Sequence, residues 1–213
     1  MEVSDQAEDK NKIIEDEDLE WVLLCQNGDV EAFGVLVSRY QKKMLNVAYR
    51  MIGNYEESCD VVQEAFLSAF RAIKKFRREA RFSTWLYGIV LNSTKNRIQQ
   101  LNRMNTRFCS DGACPGDPLE GEGDGYGCGT AAVLQESVLE KLEKKELEAR
   151  VQECIGCLDD DHREIVVLRD IQGLSYDEIV VTLGIPLGTV RSRLFRARNT
   201  LKDLLFSRIG DFK

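Results

Sequence analysis

Residues 188–202 carry five basic side chains, Arg191, Arg193, Arg196, Arg198 and Lys202, and no acidic one. Thr189, Arg191, Ser192, Phe195 and Arg196 fall at the start of this stretch, at helical spacing. Arginine can hold guanine through two hydrogen bonds, and a phenyl ring can contact a thymine methyl. Arg193 and Lys202 complete a set suited to duplex DNA. A second concentration lies in KKFRREARFSTWLYGIVLNSTKNRIQQ, residues 74–100. There Arg77, Arg78 and Arg81 surround an expected loop, and Phe76, Phe82, Trp85 and Tyr87 interleave with them. Ser83 is placed to cap the next helix, with Thr84 beside it, and Asn92, Lys95 and Asn96 follow at helical spacing. Cations hold phosphates, rings stack on unpaired bases, and amides read base edges. A plainer alternative makes Phe82, Trp85 and Ile89 core residues and the basic run a solvated surface. At least one of the rings is expected to be core in either case. A third set, Asp60, Gln63, Glu64 and Leu67, shares one helical face. An apolar side chain among carboxylates and amides can dock a partner helix.

Bond-making chemistry finds little support. The chain has one histidine, His162, and neither a Gly-rich phosphate loop nor a nucleophile elbow. No catalytic residue, cofactor or metal ligand is assigned. Seven cysteines (25, 59, 109, 114, 128, 154 and 157) are expected to be free thiols in a chain with no export signal. Cys154 and Cys157 form a C-x-x-C pair five residues before His162. They suit a zinc or redox site, or two small buried hydrophobes at i and i+3 of a helix.

Helices must position these groups. Of the 213 residues, 36 are acidic and 29 basic, for a net charge of -7. The charge is uneven. Residues 1–18 carry net -6, residues 19–107 net +6, residues 108–140 net -7 and residues 141–213 net zero. An acidic tail (1–18), expected to be disordered, thus precedes a basic segment (19–107). A Gly-rich acidic linker (108–135) then leads to a second segment (136–213). In the first segment Phe33, Leu36, Val37, Tyr40, Met44, Val47, Ala48 and Met51 recur at three and four, and Gly53-Asn54 ends that helix. A helix over roughly 55–75 follows, with Val62, Ala65, Phe66, Ala69, Phe70 and Ile73 facing inward. No apolar run approaches the roughly 20 residues that span a bilayer. The acidic start does not resemble a leader peptide, so a cytoplasmic location without membrane insertion is expected.

The second segment has sharper punctuation. Ser175-Tyr176-Asp177-Glu178 is a capping box for a helix over 176–183. Gly184 supplies a tight turn, and Pro186 opens a longer helix from 187 to 206 with Val190, Leu194, Ala197 and Leu201 buried. A short helix, a glycine turn and a basic second helix make a helix-turn-helix.

DVVQEAFL (60–67), RFSTWLYGIVLN (81–92), and GLSYDEI with GIPLGTVRSRLFRAR (173–198), in this order, resemble a bacterial extracytoplasmic-function sigma factor of the sigma-70 family. The resemblance implies an all-α fold of two small helical domains, a region 2 bundle and a region 4 helix-turn-helix, joined by a flexible acidic linker. It implies a non-catalytic alternative sigma factor that brings core RNA polymerase to promoters in response to stress. Asp60, Gln63, Glu64 and Leu67 would meet the β′ clamp helices, and region 4 the β flap. Phe76, Arg77, Arg78, Arg81, Phe82, Ser83, Thr84, Trp85, Asn92, Lys95 and Asn96 would melt and read the −10 element. Thr189, Arg191, Ser192, Arg193, Phe195, Arg196 and Lys202 would read the −35 element. The linker would thread toward the active-site cleft, and an anti-sigma factor would be a further partner. The competing expectation is a helix-turn-helix regulator acting without polymerase, which has no need of the Leu67 face.

Overall fold

A computed structural model describes residues 16–110 and 138–209. Most of the acidic tail and of the Gly-rich linker expected from composition lies outside the described residues. Among the described residues all regular structure is helical, as expected.

α1 (Leu19–Gln26) leads into α2 (Val30–Ile52), α3 (Tyr55–Ala72), a 3₁₀ turn (Ile73–Lys75) and α4 (Phe82–Ser110). The Asp29 carboxylate accepts from the Glu31 and Ala32 amides and starts α2. Gly53, at φ 82°, ends it. Its amide donates to Tyr49 O, and such a left-handed position favours glycine. The Asn54 side chain then caps α3 through the Glu57 amide. The α2 stripe is buried as expected, apart from the partly covered Val37. On α3 the expectation fails at Phe70. Its ring is exposed, although its centroid lies 5.0 Å from that of Phe33.

Two assignments need correction. Ser83 does not cap α4, because the helix begins one residue earlier. The Phe82 amide donates instead to Asp16 Oδ2 at 2.7 Å, a cap 66 residues away in sequence. Asp18 is buried and accepts from both Arg39 and Tyr40. Asp16 and Asp18 were counted with the acidic tail, but they belong to the folded bundle.

α5 (Val138–Gly156), α6 (Asp160–Val166), α7 (Tyr176–Leu183) and α8 (Leu187–Ile209) follow. α6 continues as a π-helical turn over Val167–Ile171, where the Gln172 amide reaches back to Val167 O. Ser175 and Glu178 form the expected capping box, and Gly184 ends α7 at φ 65°.

The two helical segments are not held apart. One hydrophobic core runs from Val22 on α1 to Ala197 on α8. α7 packs on α4, and α5 packs on the end of α2. Polar contacts stitch this junction. Gln152 Nε2 donates to Tyr49 O and Arg50 O, and the Arg50 guanidinium donates to Gln152 Oε1 at 2.8 Å. Gln172 donates to Asn46 Oδ1 at 3.0 Å and accepts from the Tyr87 hydroxyl at 3.2 Å. The Arg163 guanidinium reaches Met51 O, Ile155 O, Gly156 O and Leu158 O. The Lys95 ammonium lies 2.6 Å from Oε1 of Glu164, a carboxylate only 2% exposed. It does so in ion-pair contact but off the hydrogen-bonding direction.

Two measurements follow. Ser175→Ala removes one half of the capping box and should cost about 1 kcal/mol of unfolding free energy, read as a lower urea midpoint. Burial pushes the Glu164 carboxyl above the ordinary carboxylate range, and Lys95 draws it only partly back. A carboxyl raised on folding favours the fold at low pH, and that contribution is lost as pH rises through its folded value. Glu164→Gln should therefore gain stability relative to the parent between about pH 4 and about pH 8. Parallel midpoints at both pH values check this, and a constant difference would mean that Lys95 fully offsets the burial.

Candidate nucleic-acid and partner-helix interfaces

α8 is presented by the turn before it. Pro186 O accepts from the Thr189 and Val190 amides, which starts the helix. Val190, Leu194 and Ala197 anchor its inner face in the core. Its cations divide into two groups. Arg193 pairs with Asp161 at 2.9 Å, and Arg198 grips Asp170 with Nε and Nη2. The Asp170 carboxylate holds the Arg198 guanidinium above its usual range. These two arginines fasten α8 to α6 and its π-helical turn. Arg191 and Arg196 are exposed and make no ion pair among the described residues. Lys202 is also exposed, 5.5 Å from the Phe206 ring centroid. Phe195 is 68% exposed, Ser192 is exposed and Thr189 is partly covered. Apart from Arg193, the expected duplex-reading set therefore lies on one accessible helix without an acidic partner. The tethering of Arg198 and Arg193 was missed because the acids that hold them lie 28 and 32 residues upstream.

The basic loop between the 3₁₀ turn and α4 is anchored to α1. The Gln26 side-chain amide donates to Ile73 O and Phe76 O, both at 3.0 Å. Here the sequence expectation needs its largest correction. Phe82, Thr84 and Phe76 are 0%, 3% and 8% exposed, so they are core side chains that do not reach a base as they stand. Their apolar surface is worth more inside than in water. Trp85 is half-buried against Phe76, with ring centroids 4.8 Å apart. Ser83 is also partly covered. Arg77, Arg78 and Arg81 remain exposed around the loop. Arg78 adopts φ 59°, a left-handed conformation that a side chain disfavours by about 1 kcal/mol. Such strain is often held where a loop meets a ligand. Asn92 and Asn96 point outward from α4. Two cations of this set are already engaged across the junction, Arg81 with Glu178 at 3.5 Å and Lys95 with Glu164.

On α3, Asp60, Gln63 and Glu64 are exposed, and Leu67 is 50% exposed. Exposed Phe70 lies one turn further on, so the apolar part of this face is larger than expected. Arg97 on α4 pairs with Glu57 on α3. A shallow groove of about 210 Å3 between the two helices is lined by Asp60, Glu64, Asn96 and Arg97 among others. It brings the amide face of α4 next to the acidic face of α3. Among the described residues no group of three or more His, Cys, Asp or Glu side chains could hold a metal ion. No helix there is long and apolar enough to cross a membrane.

Comparison with known proteins gives these faces a family. Residues 36–104 match the model of Sigma-70 region 2, and residues 148–201 that of Sigma-70, region 4. The chain is 36% identical over 194 residues to the RNA polymerase sigma-H factor of Pseudomonas aeruginosa, covering 91% of this chain and 96% of that protein. It is 36% identical over 178 residues to the ECF RNA polymerase sigma-E factor of Haemophilus influenzae, covering 84% and 89%. Its fold is similar to that of CnrH, solved in complex with the cytosolic domain of CnrY. The TM-score is 0.63 at 27% identity, over 89% of this chain and 97% of that one. It is also similar in fold to the sigma factor RpoE of Bartonella quintana, solved with the anti-sigma factor NepR, at TM-score 0.61 and 23% identity over 83% and 98%. With both sigma regions matched in order along a single chain, the protein belongs to the extracytoplasmic-function sigma factors of the sigma-70 family.

Proposed function

We propose that this chain is an alternative sigma factor that binds core RNA polymerase and directs promoter recognition and melting. The observation that carries this reading is the pair of sigma-region matches, each spanning one of two accessible faces of opposite character. The face of Asp60, Gln63, Glu64 and Leu67 docks on the β′ clamp helices, and the second segment meets the β flap. Leu67 and the carboxylates beside it suit a helix that offers both apolar and basic side chains. A regulator working without polymerase leaves this half-exposed leucine without an occupant.

Arg191, Ser192, Phe195 and Arg196 enter the major groove at the −35 element, with Thr189 and Lys202 beside them and Arg193 as a support fastened to Asp161. Arg77, Arg78, Arg81, Trp85, Asn92, Lys95 and Asn96 take the −10 strand. Phe76, Phe82 and Thr84 serve as the floor beneath them. Melting costs a few kcal/mol for each extruded base, and stacking and phosphate contacts on the captured strand offset that cost. Lys95 and Arg81 exchange Glu164 and Glu178 for phosphate, so promoter capture and separation of the two segments proceed together. The protein performs no bond chemistry itself and works in the cytoplasm, where core polymerase and promoters are. An anti-sigma factor that covers these faces is the third partner. CnrH was solved with a protein partner of its own, the cytosolic domain of CnrY.

Run-off transcription with core polymerase tests the reading directly. Leu67→Arg should abolish retention on core polymerase without lowering the unfolding midpoint, because Leu67 is outside the core. Full retention by that variant would remove the α3 face from the interface. Arg196→Ala and Arg191→Ala should keep polymerase binding and lose about 1–3 kcal/mol of promoter binding if they read bases. Equal losses on all −35 sequences would assign them to phosphate, with a shallower salt dependence as the companion sign.

A further inference from the structure

The C-x-x-C pair belongs to neither nucleic-acid face, and it sits where the two segments meet. Cys154 is buried in the last turn of α5, and Cys157 is the exposed residue just after the helix ends. Both are free thiols. The intervening Gly156 is exposed, and a Cβ there would meet nothing within 4 Å. The Cys157 amide donates both to Glu153 O at 3.1 Å and to Cys154 O at 3.2 Å, so the turn is already tightening toward a 3₁₀ form. That matters because residues three apart on an α-helix have Cβ atoms about 5–6 Å apart, whereas a disulfide needs about 3.5–4.5 Å. Closing that gap of about 1–2 Å takes a local departure from regular helical geometry, which the already distorted end of α5 and the backbone freedom of Gly156 allow.

The surroundings of the two sulfurs differ in a useful way. Arg208 Nη2 donates to Cys157 Sγ at 3.2 Å, and its Nη1 lies 3.5 Å from Glu153. An accessible sulfur beside a guanidinium is the setting in which cysteines react with disulfides. Burial pushes the Cys154 thiol up, Arg208 opposes this, and neighbouring Cys157 adds to the rise. Cys157 is therefore the attacking sulfur and Cys154 the resolving one.

We propose that Cys154 and Cys157 form a thiol-oxidation site whose substrate is a low-molecular-weight disulfide and whose product is an intramolecular disulfide that loosens the second helical segment from the first. In the first step the Cys157 thiolate attacks one sulfur of the small disulfide. The S–S bond breaks, and one small thiolate leaves and takes up the proton from Cys157. In the second step the Cys154 thiolate attacks the Cys157 sulfur, and the second small thiolate leaves with the Cys154 proton. Two protein thiols are oxidised, and one small disulfide is reduced to two thiols.

The reach of this change follows from the neighbours. Tightening the turn withdraws Cys157 from Arg208 at the end of α8. It also displaces Ile155 O, Gly156 O and Leu158 O, the carbonyls that Arg163 holds together with Met51 O of α2. Gln152, two residues before Cys154, carries the other bonds to the end of α2. One disulfide therefore disturbs two sets of junction contacts at once.

The full chain incubated with oxidised glutathione, then alkylated and digested, gives the readout. The expected product is a peptide joining Cys154 to Cys157. Its amide hydrogen exchange should rise several-fold at Tyr49–Met51 and at 152–158. Cys154→Ser should stop at a glutathione adduct on Cys157 without faster exchange, and Cys157→Ser, an exposed change, should give neither product. Cys154 and Cys157 both still alkylated, or paired with other cysteines, would overturn the site. A Cys154–Cys157 disulfide with unchanged exchange at Tyr49–Met51 would overturn its effect on the junction.

Discussion

The guanidinium of Arg163 closes the structure on itself. Helices leave their last carbonyls without intrahelical partners, and such groups are costly to bury unpaired. α2 and α5 end close together, at Met51 and at Ile155 to Leu158, and one planar fork satisfies carbonyls from both. Asp160, 3.3 Å away, balances its charge. α6 starts beside this knot, the π-helical turn follows from α6, and Asp161 and Asp170 on that stretch hold α8. The orientation of α8 thus rests, through α6 and its π-helical turn, on a residue that α8 does not contain.

The net charge of -7 says little about what the molecule binds, because the pairing of charges does the selecting. Within the folded part Asp161, Asp170, Glu57, Glu164 and Glu178 engage Arg193, Arg198, Arg97, Lys95 and Arg81. Arg191 and Arg196 on α8 and Arg78 on the strained loop are among the described cations without such acids, and they stand toward solvent. Two of the engaged cations, Lys95 and Arg81, are held by acids of the other segment. Both pairs cross the junction between the segments. Electrostatics therefore ties the availability of the α4 face to the relative placement of the two halves.

What was legible in the sequence was local. The α2 stripe, the Ser175 capping box and the Gly184 turn each depend on residues within one or two turns, and each is where spacing puts it. Leu67 stood out as an apolar residue on a polar face, and it is exposed. What was not legible depends on distant pairs. Ser83 has the right chemistry for a cap, but Asp16 arrives from the far end of the bundle and takes the position. Phe76 and Phe82 sit among arginines in sequence, which left Phe82 open between core and base contact, and the rings of Tyr40 on α2 and of Trp85 pack against them in the core. Glu164 reads as an ordinary helical carboxylate, and its burial depends on Lys95, 69 residues earlier. Composition suggested two domains on a flexible tether, and nothing local could reveal that they share one core.

The π-helical turn at Val167–Ile171 has a consequence of another kind. A π turn accommodates one more residue than an α turn, and each residue rotates a helix by about 100°. Asp170 lies inside this wide turn and Gln172 just beyond it. The first holds α8, and the second reaches Asn46 and Tyr87 in the other segment. A single deletion here would turn both side chains away from their partners together, whereas most replacements would leave the phase intact. This stretch is therefore constrained by its length more than by its composition, and a one-residue gap here would break both contacts at once, which a single substitution would not.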